Sequence, residues 1–451
     1  MSTNHGTEEK SNSAWRLLIN FLLYVSPVAL LTTVFPIVTP TINRYNLDGV
    51  PLIQVILAAS ITVPWLSQAA CLPLYRAIQM EHKKIADARE GLRIHAETLE
   101  HQLKRAEARA VRARMSEPQF QDITDLTAFT RNWLYLFFMT MPLVLLFAVP
   151  VALVLHWSPT AFGAFFVLGV LNIAFAQLLV IPNLAKNRII WFIAWLGYSL
   201  ALLCYPIIWF LPPLVGSLIL LVSLGKDLVH LLHFARIPLK DIALDALRGF
   251  FTGSIIWADK YMLFLVTGGE INVVAIYLSL IPCVIAYNYF FVVEADRVNA
   301  SIQHLWTIFD RLPYKGVQEE SSKALRTSNR AIRNSLLIYI ASAIVTGILM
   351  FIFLPQSYPL ALSGLVVAFL FVAVALLIYQ IEYMTMYVTV QLLSAAHLVL
   401  LFISFMILPN ETGYLPIIAG ETVLAFACYR VYRQAWAAPE YSLFWRRALA
   451  W

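Results

Sequence analysis

Charged residues are scarce in this 451-residue chain: only 13% of its residues are Asp, Glu, Lys or Arg, whereas 60% are hydrophobic. A soluble domain averages about 25% charged and about 45–50% apolar residues. The mean hydropathy is +0.73, and apolar runs long enough to cross a bilayer occur along nearly the whole sequence. This composition excludes an ordinary soluble protein and indicates an integral membrane protein.

Cysteines and catalytic motifs are also scarce. Each of the four cysteines stands alone in an apolar segment, without a CxxC or metal-ligand spacing, which predicts small core residues. The HExxH, GxSxG, Walker-loop, DxD and DDxxD patterns are absent from the sequence. We therefore expect a protein that is not an enzyme and that uses no metal or cofactor.

Twelve apolar segments predict an all-α integral membrane fold, because only helices satisfy their backbone hydrogen bonds within one segment in lipid. The predicted spans are 14–36, 51–73, 132–155, 160–182, 188–210, 212–234, 248–268, 271–294, 335–355, 359–381, 386–408 and 413–434. Six spans lie on each side of a polar stretch, which predicts two six-helix lobes around a midline cavity.

These lobes set the predicted domain boundaries. In chain order they are a disordered cytoplasmic tail (1–13), an N-terminal lobe (14–234), a cytoplasmic linker (235–247), a C-terminal lobe (248–434) and a cytoplasmic C-terminal tail (435–451).

Basic residues lie almost entirely on one side of this topology. With the N-terminus in the cytoplasm, Arg44 is the only Lys or Arg in an outer loop, while Lys226 and Lys260 fall within spans. This asymmetry follows the positive-inside rule and predicts that both termini are cytoplasmic. It also accounts for the net charge of +6 without nucleic-acid binding, which we do not expect.

Two cytoplasmic segments are predicted to be helical. Apolar residues recur at three- and four-residue spacings from Ile85 to Ala110, which predicts a helical arm over 76–116 with a coiled-coil-like seam. The arm either docks a partner or a second copy, or it packs on the chain's own cytoplasmic face or on headgroups. In the 295–334 loop, "SIQHLWTIFDRL" predicts an amphipathic helix lying at the membrane interface.

Asp259 and Lys260 stand side by side in "GSIIWADKYMLFL", near the middle of the seventh span. A charge there costs about 2.5–3.5 kcal/mol on insertion scales, so each residue needs a partner or water. Helix neighbours point about 100° apart, and we expect these two not to pair with each other. Either they line a hydrated cavity, where Asp259 binds a cation or proton and Lys260 attracts an anionic substrate, or they form interhelical ion pairs.

Other polar residues in the spans are candidate partners. Lys226 and Asp227 lie in the sixth span, and Glu421 lies in the twelfth. A Lys260–Glu421 contact would bring spans 7 and 12 together. His397 stands alone on an apolar helix, which is more typical of a satisfied core histidine than of a proton relay.

The eighth span carries aromatic and acidic candidates. Tyr287 and Asn288 lie in "AYNYFF", where they either contact sugar rings and hydroxyls or belong to an interfacial aromatic belt. Glu294 follows at the cytoplasmic edge, where a solvated helix end is the expected role.

The stretches "WADKYMLFL" and "IYLSLIPCVIAYNYFFVVEAD" resemble the inner-membrane transporter family of the Pel exopolysaccharide system. The matching positions are Trp257, Asp259, Lys260, Tyr277, Leu278, Ser279, Ile281, Pro282 and Glu294. The resemblance implies a twelve-span relative of polysaccharide flippases and multidrug-extrusion carriers in a bacterial inner membrane. Such proteins are expected to move a growing polysaccharide to the periplasm beside a cytoplasmic glycosyltransferase and other membrane subunits.

Three functions follow as alternatives. The first is a flippase-type transporter of polysaccharide or lipid-linked glycan, surrounded by membrane lipids, whose arm docks the glycosyltransferase. The second is an ion-coupled exporter of small cationic molecules, which requires an acidic centre such as Asp259 with Glu421. The third is a non-transporting membrane subunit of a glycan synthase complex.

Overall fold

The computed structural model describes residues 5–448, except for 102–103, 105–106, 108, 110, 112–123, 186, 233–236, 271, 310 and 410. These described residues are almost entirely helical. Eight of their helices are long and apolar enough to cross a membrane, or nine if one bent pair counts as a single span. The prediction of an all-α integral membrane fold is confirmed.

The described part of the first half of the chain, up to residue 232, contains helices and one short hairpin. The helices are α1 (His5–Ile42), α2 (Leu52–His101), α3 (Asp125–Thr140), α4 (Leu145–Val154), α5 (Pro159–Leu178), α6 (Val180–Leu184), α7 (Arg188–Cys204) and α8 (Leu211–Ser223), with 3₁₀ segments at Met141–Val144 and Gly225–Leu232. Strands β1 (Asn46–Leu47) and β2 (Val50–Pro51) pair antiparallel. The turn between them uses Asp48 and Gly49, both at positive φ, as a tight hairpin requires.

The second half, from residue 237, adds another helical group. Its helices are α9 (Leu239–Val266), α10 (Val273–Tyr289), α11 (Ala295–Ile308), α12 (Tyr314–Phe353), α13 (Tyr358–Tyr383), α14 (Tyr387–Ile407), α15 (Tyr414–Ala435) and α16 (Pro439–Ala448), with a π-helical turn at Phe290–Glu294 and 3₁₀ turns at Pro355–Ser357 and Glu411–Gly413. Asn272 starts α10, because its side chain accepts a hydrogen bond from the backbone N of Ala275 at 3.1 Å.

Two predicted boundaries differ from the structure. The predicted span 212–234 is a single helix only as far as Ser223, and the 3₁₀ segment after it turns away by 104°. Gly225 adopts φ +55° at this bend, a conformation that favours glycine. The predicted linker at 235–247 is helical from Leu239, because neither proline nor glycine interrupts the chain there.

The predicted arm begins as an extension of a membrane helix. α2 continues from the apolar segment into the arm without a break. Its base is held to α3, where the Asn132 amide donates to Glu81 Oε2 at 2.7 Å. Ala96 and Leu99, two residues of the apolar repeat predicted in the arm, are buried within the chain. Most of 102–116 lies outside the described residues.

The segment predicted to lie at the membrane interface packs on protein instead. α11 is the expected amphipathic helix, but Ile302, Leu305 and Ile308 on its apolar face are all buried, and α11 contacts α12. The interfacial placement was wrong because a following helix covers this face. Protein side chains remove apolar surface from water as lipid tails do, so amphipathicity alone does not separate the two.

The cysteines follow their prediction only in part. Cys283 and Cys428 are buried and Cys71 is half-buried, but Cys204 is exposed at the end of α7. An exposed cysteine is compatible with this position, because the outer surface of a membrane protein faces lipid rather than water.

The two halves of the chain meet along α2 and α9, the most extensive helix pair in the described residues. A Cβ added to Gly249 would lie 2.4 Å from the carbonyl oxygen of Gln68, and one at Gly253 would lie 3.0 Å from that of Trp65. Glycines four residues apart let helix backbones approach closely. Trp65 Nε1 also donates to the carbonyl oxygen of Phe250 at 2.7 Å. We call this α2–α9 contact the seam.

The two ends of the seam differ. At one end Arg76 Nη1 pairs with Asp245 Oδ1 at 2.7 Å, on the side where α2 extends into the arm. We call this side the basic face. At the other end, which we call the opposite face, Gln54 and Gly269 line a cleft of about 540 Å³ between the halves. The seam is therefore held by an ion pair at the basic face and borders a cleft at the opposite face.

Substitution of Gly249 by alanine is expected to destabilise the protein. The added methyl meets a backbone carbonyl, so α2 and α9 must separate, and overpacking of this kind costs about 1–3 kcal/mol. The melting temperature of the purified protein, followed by tryptophan fluorescence, measures the effect. Gly163→Ala is the matched control, because a Cβ there meets nothing within 4 Å. Equal melting temperatures for the two variants would contradict the seam's role.

Candidate functional site

Asp259 and Lys260 pair with each other, contrary to the prediction from helix geometry. Both are buried in α9, and Lys260 Nζ lies 2.8 Å from Asp259 Oδ1. The Lys260 side chain folds back along the helix, so that Nζ also donates to the carbonyl oxygen of Ile256 at 3.0 Å. The prediction failed because the flexible four-carbon stem of lysine spans the angle between neighbouring positions.

Other contacts of this ion pair lie within the second half of the chain. The Tyr414 hydroxyl donates to Asp259 Oδ2 at 3.2 Å. Lys260 Nζ lies 5.4 Å from the ring centroid of Phe371, an arrangement worth about 2 kcal/mol where water is excluded. Asp259 Oδ1 meets Lys260 only as an ion-pair partner and has no hydrogen-bond partner. Neither charge is directed at the seam.

Glu421 binds His397 rather than Lys260. Glu421 Oε1 lies 2.6 Å from His397 Nδ1, and both side chains are 0% exposed. Phe371 stands between the two pairs, because its ring meets the His397 ring edge-on with centroids 5.0 Å apart. The predicted Lys260–Glu421 contact was wrong, because Glu421 meets His397 on α14 and Lys260 meets Asp259. The buried His397 Nε2 and Glu421 Oε2 atoms have no hydrogen-bond partner.

Lys226 and Asp227 lie apart from this network. They belong to the bent 3₁₀ segment after α8, where Lys226 is exposed and Asp227 is half-buried. Asp227 Oδ1 accepts a hydrogen bond from Thr127 Oγ1 at 3.3 Å. Asp227 therefore links this segment to the start of α3.

Tyr287 is part of a polar and aromatic group between the halves. Its hydroxyl lies 2.8 Å from the hydroxyl of Tyr379 on α13 and accepts a hydrogen bond from Gln68 Nε2 on α2 at 3.1 Å. The Tyr277 hydroxyl likewise lies 2.7 Å from Ser60 Oγ on α2. All five side chains are half-buried. The structure therefore places uncharged hydrogen-bonding groups where α10 and α13 face α2.

Asn288 and Glu294 lie next to this group on the chain, at the end of α10 and in the π-helical turn after it. Asn288 is half-buried at the position after Tyr287. Glu294 is buried at the end of the π-helical turn, where it accepts hydrogen bonds from Tyr289 at 3.2 Å and Asn334 at 2.9 Å. The expectation of a solvated helix end was wrong, because α12 supplies a donor and covers the carboxylate. Glu294 holds α10 to α12.

The polar group and the cleft both lie along α2. Gln54 and Leu57 line the cleft, and Ser60 and Gln68 follow along the same helix. Gln54, Leu57 and Ser60 are spaced three residues apart and share a helix face, and Gln68 lies about two turns beyond Ser60; we refer to these four positions as a stripe. We call the stripe together with Tyr277, Tyr287 and Tyr379 the polar stripe. It runs from the opposite face towards the joined end of the seam.

Two sequence patterns indicate this site, although neither is visible in the overall composition. Gly249 and Gly253 form a GxxxG pattern, which marks close helix contacts in membranes. Gln54, Ser60 and Gln68 are polar residues within the mainly apolar first part of α2. No local pattern singles out Phe371 or Tyr414, whose roles arise from the packing of distant helices.

Known transporters resemble this chain in overall structure at low identity. A MATE structure in complex with MaL6 matches with a TM-score of 0.47 and 11% identity, covering 93% of this chain and 96% of that chain. An outward-facing multidrug resistance MATE family transporter of the MOP superfamily matches with a TM-score of 0.44 and 12% identity, covering 94% and 95%. A MOP superfamily transporter from Pyrococcus furiosus has a TM-score of 0.42 and 14% identity, covering 93% and 96%.

Because the sequence identities are only 11–14%, this structural likeness gives no information about the substrate or mechanism of this chain. No family model matches the chain, and no curated protein matches it. The resemblance to the Pel transporter family therefore stays a prediction.

Removal of Lys260 is expected to destabilise the protein strongly, whereas removal of the whole pair is not. Lys260→Met leaves the Asp259 carboxylate buried without its cation, a loss of about 3–5 kcal/mol. The double variant Asp259→Asn with Lys260→Met removes both charges and should recover most of that stability. Melting temperatures of the purified variants measure both effects. Lys323→Met, at an exposed pair with Glu320, is the control and should change little.

Exchange of Lys260 and Glu421 tests the partner assignment separately. Lys260→Glu combined with Glu421→Lys is expected not to recover the folding lost in the single variants, because Asp259 would face a second carboxylate and His397 would lose its carboxylate partner. Recovery to the wild-type yield of folded protein would show that Lys260 and Glu421 contact each other after all.

Proposed function

We propose that this chain is a multi-pass membrane transporter that moves a neutral, hydroxyl-rich glycan between the two membrane faces by alternating access. The polar stripe between the halves is the observation that carries the proposal. Its side chains offer hydroxyl and amide hydrogen bonds beside aromatic rings (Ser60, Gln68, Tyr277, Tyr287 and Tyr379). Tyrosine combines an apolar ring with a polar hydroxyl, which suits a sugar ring with its hydroxyl groups.

The placement of charge supports a neutral substrate over a cationic one. The two acidic groups in the middle of the second half, Asp259 and Glu421, are each bound to a basic side chain and are buried. A site for small cations needs an acidic group that faces the substrate. Among the cleft residues, Glu270 alone is acidic, and it lies at the rim. The cationic-exporter alternative rests on that residue.

The seam supplies the two-state element that alternating access requires. One end is held by the Arg76–Asp245 ion pair and the glycine contacts, and the other end borders the cleft. Rigid-body rocking of the halves about such an interface would open the basic face and close the cleft. In this proposal the cleft marks the face to which the transport path opens in the conformation described here.

The excess of basic residues supports a cytoplasmic position for the basic face and for both termini, in a bacterial inner membrane. Glycan would then move from the basic face to the cleft. The arm at 76–116 is the proposed contact for a cytoplasmic glycosyltransferase, which would deliver the glycan there. In the synthase-subunit alternative, the same arm binds its partner but the seam does not open.

Loss of the Tyr287 hydroxyl is expected to weaken glycan transport. Tyr287→Phe removes hydrogen bonds to the substrate and keeps the ring, and one such bond is worth about 1 kcal/mol or roughly fivefold in affinity. Uptake of dye-labelled neutral oligosaccharides into liposomes containing the purified protein measures the change. Tyr441→Phe, at an exposed tyrosine on α16, is the matched control.

Two outcomes of the uptake assay would reject the glycan assignment. If the wild-type protein moves a cationic dye and no oligosaccharide, the exporter alternative holds, and Glu270→Gln should then reduce dye transport. If neither compound moves while the protein remains folded and binds a glycosyltransferase, the chain is a non-transporting subunit.

The Arg76–Asp245 pair is expected to hold the seam closed at the basic face. Arg76→Ala removes a partly exposed ion pair worth on the order of 1 kcal/mol, which shifts the two conformations about fivefold. Closure of the cleft then lowers the rate at which a membrane-impermeant thiol reagent labels Gln54→Cys, in a background without the four native cysteines. Arg93→Ala, on the exposed arm, should leave the rate unchanged. Unchanged labelling in Arg76→Ala would show that this pair is no gate.

A further inference from the structure

A row of arginines occupies the outward face of α12. Arg326, Arg330 and Arg333 are all exposed, and their spacing of four and three residues places them on one side of the helix. On the opposite side, Ser328 and Ala331 are buried. Arg326 Nε donates to a carbonyl oxygen of its own helix at 3.3 Å. We call the three arginines the ladder, which extends about 10 Å along the helix axis.

Contacts with α13 fix the level of the ladder in the bundle. Ser328 Oγ donates to Gln380 Oε1 at 2.8 Å, and Glu382, two residues further along α13, pairs with Arg248. Arg248 lies one turn beyond Asp245 on α9, and Asp245 belongs to the ion pair that marks the basic face. The ladder therefore lies at the basic face, on the outer surface of the second half.

The apolar part of α12 places the ladder at the depth of lipid headgroups. Residues 334–353 carry no charged side chain and span about 30 Å as a helix, which is about the thickness of the hydrocarbon core of a bilayer. Leu337, Ile340 and Ile344 continue the ladder's face and are exposed, as side chains that face lipid tails are. The ladder therefore begins where the headgroup layer begins.

None of the three guanidinium groups has a carboxylate partner among the described residues. Residues 321–353 contain no Asp or Glu. Two carboxylates near the ends of this stretch are already paired, Glu320 with Lys323 at 2.6 Å and Glu294 with Arg297 at 3.5 Å. The positive charge of the ladder is therefore left for groups outside this part of the chain.

Two further helices present matching chemistry at this level. Tyr432 on α15 donates to Asn329 Oδ1 at 2.8 Å, so the exposed Arg433 beside it lies level with the ladder. Helix α16 follows α15, contacts α12 and exposes Phe444 and Trp445. Exposed aromatic residues on a short helix beside basic residues are typical of a segment that lies in the membrane interface. This aromatic surface is independent of the ladder's charge and points to the same lipid surroundings.

We propose that the ladder binds anionic phospholipids of the leaflet at the basic face, with its guanidinium groups on the lipid phosphates. Arginine donates paired hydrogen bonds to phosphate oxygens, and each basic side chain close to an anionic leaflet raises the affinity about fivefold. Bound lipid stabilises the second half at this end of α12. The site lies on the outer surface, outside the polar stripe, so the inference goes beyond the proposed transport function and does not depend on it.

Thermal unfolding in a neutral detergent tests the lipid site. Phosphatidylglycerol should raise the melting temperature of the parent protein, whereas phosphatidylcholine, which has no net charge, should not. The rise should be lost in the ladder variant, which combines Arg326→Gln, Arg330→Gln and Arg333→Gln. Inorganic phosphate that raised the melting temperature as much as phosphatidylglycerol does would overturn the lipid assignment in favour of a soluble anion.

A matched control separates the ladder from net charge. The arm variant, which combines Arg93→Gln, Lys104→Gln and Arg109→Gln, removes three exposed basic side chains beyond the membrane helix. It should keep the full rise in melting temperature with phosphatidylglycerol. An equal rise in the ladder and arm variants, or an equal loss in both, would overturn the proposal.

Native mass spectrometry of protein with bound phosphatidylglycerol gives a second readout, which measures affinity directly. The ladder variant should bind this lipid on the order of a hundredfold more weakly, as three factors of about five give. Arg330→Gln alone should lower the affinity about fivefold, which keeps the test valid if the triple variant does not fold. Affinity that is unchanged in Arg330→Gln and in the ladder variant would refute the site.

Discussion

The close approach of α2 and α9 is the constraint on which the rest of the molecule depends. Gly249 and Gly253 let two backbones meet where any side chain would collide with a carbonyl oxygen, and so they bring the halves of the chain into contact. The same contact places Gln68 and Ser60 opposite the tyrosines of α10 and α13. The helix contact that joins the two halves therefore also positions the residues of the candidate site.

Away from the seam, the free-energy cost of burying charged side chains determines how the polar residues of the spans are paired. In a water-poor interior, an ionised group needs a partner on nearly every polar atom. Asp259 and Lys260 meet this demand in part, with Tyr414, a backbone carbonyl and the face of Phe371, while Asp259 Oδ1 has no hydrogen-bond partner. His397 and Glu421 also meet it only in part, since one polar atom of each is unpartnered. Both pairs join helices of the second half of the chain.

Several expectations from the sequence concerned what covers a given face, and these were the ones that failed. Residues Ile302, Leu305 and Ile308 do form an apolar face, but α12 covers it rather than lipid. Glu294 does end a span, but a side chain from α12 reaches it. The span 212–234 is apolar throughout most of its length, yet it bends at Gly225. In the first two cases the local pattern was correct and the neighbouring helix was unknown, whereas the bend lies at a glycine within the predicted span.

The sequence by itself determined the all-helical membrane fold, because apolar length and backbone hydrogen bonding in lipid leave no other choice. It also pointed to Asp259, Lys260, Glu421 and Tyr287 as residues of interest, because polar groups in apolar spans are costly. Only the tertiary structure decided their partners. Lys260 reaches its own neighbour and Glu421 reaches His397, since pairing depends on side-chain reach and on which helices are adjacent. Those adjacencies are set by contacts between residues more than a hundred positions apart, such as Trp65 with Phe250, which no local pattern contains.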